Sequence, residues 1–180
     1  SYSKQKKYLQ AIKYYKKMLP LKSSNQSNIY YQIGRNYYFM AEDSLLVSDS
    51  LYRAQLYHKA DSCFEIMTLH SPDSYVGFIW SGRVLSRLDP ETTAGLARPA
   101  YEKAMTLLES GDASKTPKLL IECYRYFAFY HYVLSEKLLP ANAAEAKTEV
   151  TNSINYWTKI LNLDPSDQQA QTALQNLQKM

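Results

Sequence analysis

Apolar residues recur every three to four positions along nearly the whole chain, a spacing that predicts helices throughout, so the boundaries come from punctuation. A first helix runs from about Ser3 to Leu19 and stops at Pro20, which has no amide hydrogen to donate and clashes with the preceding turn. After the polar Ser23, Ser24 and Asn25, a second covers Ile29 to about Ala41, extendable to Leu46. Ser48, Asp49 and Ser50 offer N-caps to a third that ends near His70. Ser71 caps and Pro72 opens a fourth, ending at Leu88. Asp89 to Gly95 reads as a loop, or a loop with one helical turn. A fifth helix spans Leu96 to Glu109, with Pro99 tolerated in its first turn, and Ser110, Gly111 and Asp112 end it. Thr116 and Pro117 begin a sixth that reaches Glu136. Pro140 and Asn142 separate it from a seventh ending near Asn162, and Asp164 with Pro165 opens a last helix. The prediction is eight helices and no strands.

The helices repeat. Tyr30, Ile33, Gly34, Arg35 and Tyr37 in the second are echoed by Phe78, Ser81, Gly82, Arg83 and Leu85 in the fourth, and by Tyr124, Phe127, Ala128, Phe129 and His131 in the sixth. Each is followed by a helix with a small residue, an aromatic four positions on and a further apolar or small residue: Ala60, Phe64, Met67; Ala97, Tyr101, Ala104; Ser153, Trp157, Ile160. The opening helix carries the second pattern as Ala11, Tyr15 and Met18. Gly34 and Gly82 remove a side chain where two helices approach, and Ala60 and Ala97 do the same from the other side.

These motifs resemble the tetratricopeptide repeat (TPR), in which helix A carries a large residue, Leu-Gly and Tyr, helix B carries Ala, Phe and Ala, and a Pro closes the unit, as Pro72 and Pro165 do here. The resemblance implies an all-α, TPR-like right-handed superhelical solenoid in a single domain over 1–180. Residues 1–20 form a leading B-type helix, 25–74, 75–110 and 115–164 form repeats, and 165–180 cap the C-terminus. The spacings from Gly34 to Ala60 and from Gly82 to Ala97 exceed the ideal repeat, so longer helices or loops must absorb the difference. The unpaired first helix and the absence of an initiator Met point to a fragment of a longer chain. The block from Leu88 to Lys103 also resembles a segment of poorly characterised bacterial TPR proteins, often envelope-associated, which leans the expected location towards the cell envelope or periplasm rather than the cytoplasm.

Composition narrows the function. Hydrophobic residues at 46% and charged residues at 21% describe a chain that folds, and no run approaches the length that spans a bilayer. Seventeen tyrosines against five glycines suit wide, amphipathic helix–helix seams. The net charge of +4 comes from scattered residues; the nearest to a run, Lys4, Lys6, Lys7, Lys13, Lys16 and Lys17, reads as a solvated helix face. Cys63 and Cys123 fall inside helical patterns and read as small buried apolar residues. No phosphate loop, His-Glu-x-x-His, Cys-x-x-Cys or Gly-x-Ser-x-Gly is present, and His58, His70 and His131 are dispersed. The expectation is a protein without catalytic centre, cofactor, metal or small-molecule substrate. Asp89 and Glu91 read as helix-capping acids.

The TPR resemblance implies ligands in a concave groove lined by the A helices. Counting from the small residue of each A helix gives Asn28, Tyr31, Arg35 and Tyr38; Ile79, Arg83 and Arg87; and Glu122, Arg125, Phe129 and Tyr132 as groove candidates. Arginines among tyrosines suit an extended peptide bearing carboxylates, because guanidinium pairs bidentately and aromatic rings supply area at low entropic cost. Arg35, Arg83 and Arg125 are therefore expected on one concave face. The family's clamp for a C-terminal carboxylate needs Lys and Asn where Tyr31, Arg35, Ile79 and Arg83 stand, so that specific function is not implied. The leading reading is a protein- or peptide-binding scaffold. The alternatives are a structural module that self-associates as a homo-oligomer and, less favoured, single-stranded nucleic-acid binding.

Overall fold

A computed structural model of the chain describes residues 2–21, 25–44, 47–111 and 115–177. Ser23, Ser24, Leu46 and Asp112, invoked above, and positions 178–180 of the expected C-terminal cap lie outside them. The described residues contain eight α-helices and no strand: α1 Tyr2–Met18, α2 Gln26–Glu42, α3 Ser50–His70, α4 Tyr75–Leu88, α5 Arg98–Glu109, α6 Pro117–Leu138, α7 Ala143–Leu163 and α8 Gln168–Leu177. A short 3-10 turn, Leu19–Leu21, closes α1.

Several boundaries differ from those expected, for local reasons. α4 begins at Tyr75 rather than Pro72, because residues 71–74 close a turn of their own through the Ser74 amide and the Ser71 carbonyl, 3.1 Å apart. The same holds after α7. Asp164 accepts from the Ser166 amide at 3.0 Å and hydroxyl at 2.7 Å, and α8 starts three residues beyond Pro165, where Asp167 accepts from the Ala170 amide at 2.9 Å. Asp49 caps α3 as expected, accepting from the amides of Leu51 and Tyr52. Thr116 precedes α6 without a side-chain cap bond.

The chain falls into two compact units, 1–88 and 89–180, whose boundary lies between α4 and α5 and so divides the expected second repeat. In unit 1, consecutive helices pack on one another. Partners step backward along α3 as they step forward along α2: Ser27 with Ser71, Gly34 with Phe64, Glu42 with Tyr57, the mark of an antiparallel pair. Gly34 permits a close approach, since a Cβ built there would lie 2.7 Å from Phe64 Cε1 and 3.1 Å from Cys63 Cβ. Gly77 allows the next approach, of α4 to α3, where a Cβ would meet Thr68 Cγ2 at 2.8 Å. Ile33, Met40, Leu56, Ala60, Phe64 and Val84 fill the core between.

Unit 2 repeats the scheme. α6 and α7 are antiparallel, with His131 against Glu149, the Ala128 carbonyl accepting from Ser153 Oγ at 2.7 Å, and Tyr124 beside Tyr156. Ser153 is fully buried, so this hydrogen bond is what allows a hydroxyl there. Leu120, Phe127, Trp157 and Ile160 are buried with it. The unit opens on a loop built around Asp89, only 8% exposed. Its carboxylate accepts from the Thr93 amide at 2.9 Å and the Thr93 hydroxyl at 3.3 Å, and from the amides of Ala94 at 3.0 Å and Leu96 at 3.3 Å. The loop turns through left-handed backbone at Thr92 (φ 56°) and Gly95 (φ 66°), which delays α5 to Arg98. Asp89 thus holds a loop, whereas the sequence pattern suggested a helix cap. Glu91 is exposed.

Candidate functional site

Tyr31, Arg35 and Phe39 are spaced one turn apart on α2 and form a single stripe. The stripe meets Trp80 of α4. Tyr31, Tyr38 and Phe39 approach the indole edge-on, with centroids 5.9, 5.5 and 5.9 Å away, while Phe64 stacks on it at 5.5 Å and 28°. Two cations lie over these rings. The Arg35 guanidinium carbon is 5.2, 5.4 and 5.5 Å from the centroids of Tyr31, Phe39 and Trp80, and that of Arg83 is 4.8 Å from Trp80. Each such contact is worth about 0.5–1 kcal/mol at an exposed site, and more when water is excluded. Among the described residues Arg35 has no carboxylate partner, and its Nε is buried without a hydrogen bond. Rings rather than an acid hold this charge in place.

Arg87, one turn beyond Arg83, differs. Its Nε and Nη2 donate to the two oxygens of Glu42 at 2.8 and 2.9 Å, a bidentate pair that ties the end of α4 to the end of α2. The Tyr57 hydroxyl donates to the same carboxylate from α3. Burial pushes the Tyr57 hydroxyl well above the ordinary phenol range and the bond to Glu42 pushes it further. Burial, then the Glu42 charge, likewise raises Tyr38. Both phenols therefore stay protonated at neutral pH.

The candidates on α6 are mostly engaged within unit 2. Glu122 accepts from the Tyr101 hydroxyl at 3.1 Å, and Arg125 pairs with Asp167 at 2.5 Å. Phe129 is 41% exposed and Tyr132 half-buried. His131 is a packing residue, stacked on Tyr156 at 11° and bonded through Nδ1 to Glu149 Oε2 at 2.5 Å, while His58 and His70 are exposed.

Of the eleven residues singled out in the sequence, the structure therefore brings Tyr31, Arg35, Tyr38 and Arg83 together around Trp80 and joins Arg87 to them through Glu42 and Tyr57. Asn28 is exposed at the start of α2, apart from the ring cluster. Ile79, expected to face a ligand, is 2% exposed and offers no surface. Arg125, expected to share a face with Arg35 and Arg83, belongs to the other unit and to Asp167. Sequence reasoning missed Trp80 and Phe39. The one-turn spacing of Tyr31, Arg35 and Phe39 was the available signal, and Trp80 had none, because its role depends on α4 lying beside α2. Among the described residues no group of three or more His, Cys, Asp or Glu side chains is placed to hold a metal ion, and no helix is long and apolar enough to cross a membrane.

No family model and no curated protein matches the chain. Among solved structures, it is similar to the C-terminal part of a TPR repeat-containing protein from Cytophaga hutchinsonii, with 24% identity and a TM-score of 0.57. The alignment covers 91% of this chain and 65% of that one, so the chain spans about two thirds of the length of the structure it matches. The fold is all-α and TPR-like, as the repeat motifs predicted.

Proposed function

We propose, taking the TPR-like fold as premise, that the chain is a protein-interaction scaffold rather than an enzyme, and that the α2–α4 face of unit 1 receives an extended peptide segment bearing carboxylates. One observation carries this reading: Arg35 and Arg83 both have their guanidinium carbons within 5.5 Å of the Trp80 ring centroid, with Arg35 held by aromatic rings and facing no acid among the described residues. A guanidinium already fixed against rings gives up little conformational freedom when a carboxylate arrives, and its planar donors match the carboxylate bidentately. Tyr31 and Phe39 supply apolar area beside the charge, the combination that concentrates binding energy in peptide interfaces. Arg87 and Arg125, already paired with Glu42 and Asp167, serve as struts for the helices.

The test is selection from a displayed library of decapeptides, followed by affinity measurement of the enriched sequences on the parent chain and on Arg35→Ala. Enriched peptides are expected to be rich in Asp and Glu, and Arg35→Ala to weaken them about tenfold, the equivalent of one charge-assisted hydrogen bond. Arg35→Lys should recover only part of the loss, since lysine cannot form the planar fork. Peptides bound equally by parent and Arg35→Ala would remove this face from the binding site; no enrichment at all would favour a structural, self-associating module.

A further inference from the structure

A second surface, remote in chemistry from the arginine cluster, lies on α1. Unit 1 carries twelve lysines and arginines against six acidic residues, and unit 2 carries nine against eleven. The whole excess of unit 1 equals the six lysines of α1, a helix without a single acid. The positive charge of the chain is thus concentrated in one element, although its lysines appear scattered when read along the sequence. Lys4 pairs with Asp43, and Lys16 lies 5.8 Å from the Tyr37 ring centroid. Lys6, Lys7, Lys13 and Lys17 are exposed and have no ion pair among the described residues.

Their arrangement is directional. Ile12 is buried in the unit 1 core with Tyr8 and Tyr15 packed against it. Lys6, Lys13 and Lys17, at spacings of seven and four residues, form a ridge on the opposite side of the helix. Lys6 and Lys13 are thus about 10.5 Å apart along the axis, two helical turns. Between them the surface dips into a hollow of about 220 Å³ lined by Gln5, Lys6, Leu9, Gln10 and Lys13, with Leu9 46% exposed.

We infer that this outer face of α1 docks an acidic amphipathic helix of a partner protein. An apolar side chain of that helix enters the hollow against Leu9, and carboxylates at matching seven- and four-residue spacing meet Lys6, Lys13 and Lys17. The shape is a hole between side chains of one helix, which the ridge of another helix fills, and the charge calls for a partner of opposite sign with two-turn periodicity. A bilayer fits less well, because the apolar stripe of α1 is already committed to the core and cannot turn outward to insert. A nucleic-acid backbone would lay polar groups over Leu9.

The experiment uses the full chain and a synthetic helical peptide with glutamates at the mirrored spacing and a leucine between the first two. A scrambled peptide of the same composition, phosphatidylcholine–phosphatidylserine vesicles and an oligothymidylate are run beside it. The designed helix is expected to bind and the scrambled one not. Lys6→Glu, Lys13→Glu and Lys17→Glu together are expected to weaken binding by more than about tenfold, while the corresponding triple arginine variant retains it. If circular dichroism shows the charge-reversed chain to be unfolded, the triple glutamine variant carries the same expectation of weaker binding. Equal binding of designed and scrambled peptides, indifference to the neutralised or reversed ridge, or capture of the vesicles or the oligonucleotide without the helix each overturns the inference.

Discussion

Phe64→Ala is expected to lower the stability of unit 1 by about 4 kcal/mol, near the middle of the range for deleting a fully buried phenylalanine. Phe64 is 0% exposed, fills the space that Gly34 leaves on α2, and stacks on Trp80 of α4, so one ring joins three helices. Truncation removes the transfer energy of the ring and leaves a cavity that helices braced by Glu42, Tyr57 and Arg87 cannot easily close. Urea unfolding followed by Trp80 fluorescence in a Trp157→Phe background measures it; a loss under about 1.5 kcal/mol would show that the helices collapse into the gap. The same geometry predicts a reversal. Gly34→Val in the parent should cost about 2–3 kcal/mol, because its side chain would collide with a ring that has no room to move. In the Phe64→Ala background the added methyl groups occupy the vacated volume, so the cost should shrink or vanish. Additive losses in the double variant would contradict direct contact between the two positions.

Asp89→Ala is expected to destabilise unit 2 by about 3 kcal/mol, because it strips a buried acceptor from the amides of Thr93, Ala94 and Leu96 in one step. Asp89→Asn should cost somewhat less, since the amide oxygen keeps part of the set while its NH₂ group faces donors. The pH dependence separates the charge from the shape. Burial alone would raise the Asp89 carboxyl, but the backbone hydrogen bonds from residues 93–96 outweigh it and hold the group below the ordinary carboxylate range. A depressed folded-state value means that the carboxylate's contribution is complete above the unfolded value of about 3.9 and is lost as pH falls through the folded one. Thermal melts from neutral pH downward should therefore show the gap between parent and Asp89→Asn holding constant to about pH 4 and then narrowing. A constant gap down to the most acidic pH at which both fold would assign the effect to geometry alone.

What could be read from the sequence was whatever a single helix or its immediate neighbour expresses. Eight helices and the close approach of the Gly34 helix to the one carrying Ala60 and Phe64 follow from residue spacing along the chain. The helices after Pro72 and Pro165 start later than the prolines suggest, because a separate turn intervenes at each. The fate of the arginines lay beyond the sequence. Arg35, Arg87 and Arg125 all lie within helices, on α2, α4 and α6, yet Glu42 pairs with Arg87 across 45 positions of sequence and Asp167 with Arg125 across 42. Which arginine finds an acid depends on how far each helix is slid along its neighbour, and no spacing within one helix carries that information. Asp89 is legible as part of a loop, but its role of accepting from that loop's own amides rather than capping a helix is not, since left-handed backbone at a threonine has no compositional mark.

Each unit also contains a single cysteine, Cys63 on α3 and Cys123 on α6, both buried and neither in a disulfide. Burial pushes the Cys63 thiol up to about 11, so at neutral pH it is hidden and almost entirely protonated, two independent reasons for it to resist alkylation. A modifying reagent reaches such a sulfur only through an opening of the helices around it. In undenatured buffer, the rates at which the two sites gain mass thus time two separate excursions from the native state. Comparing each rate with that of an unfolded cysteine peptide converts it into the free energy of that excursion, and shows whether the halves of the chain breathe together or apart.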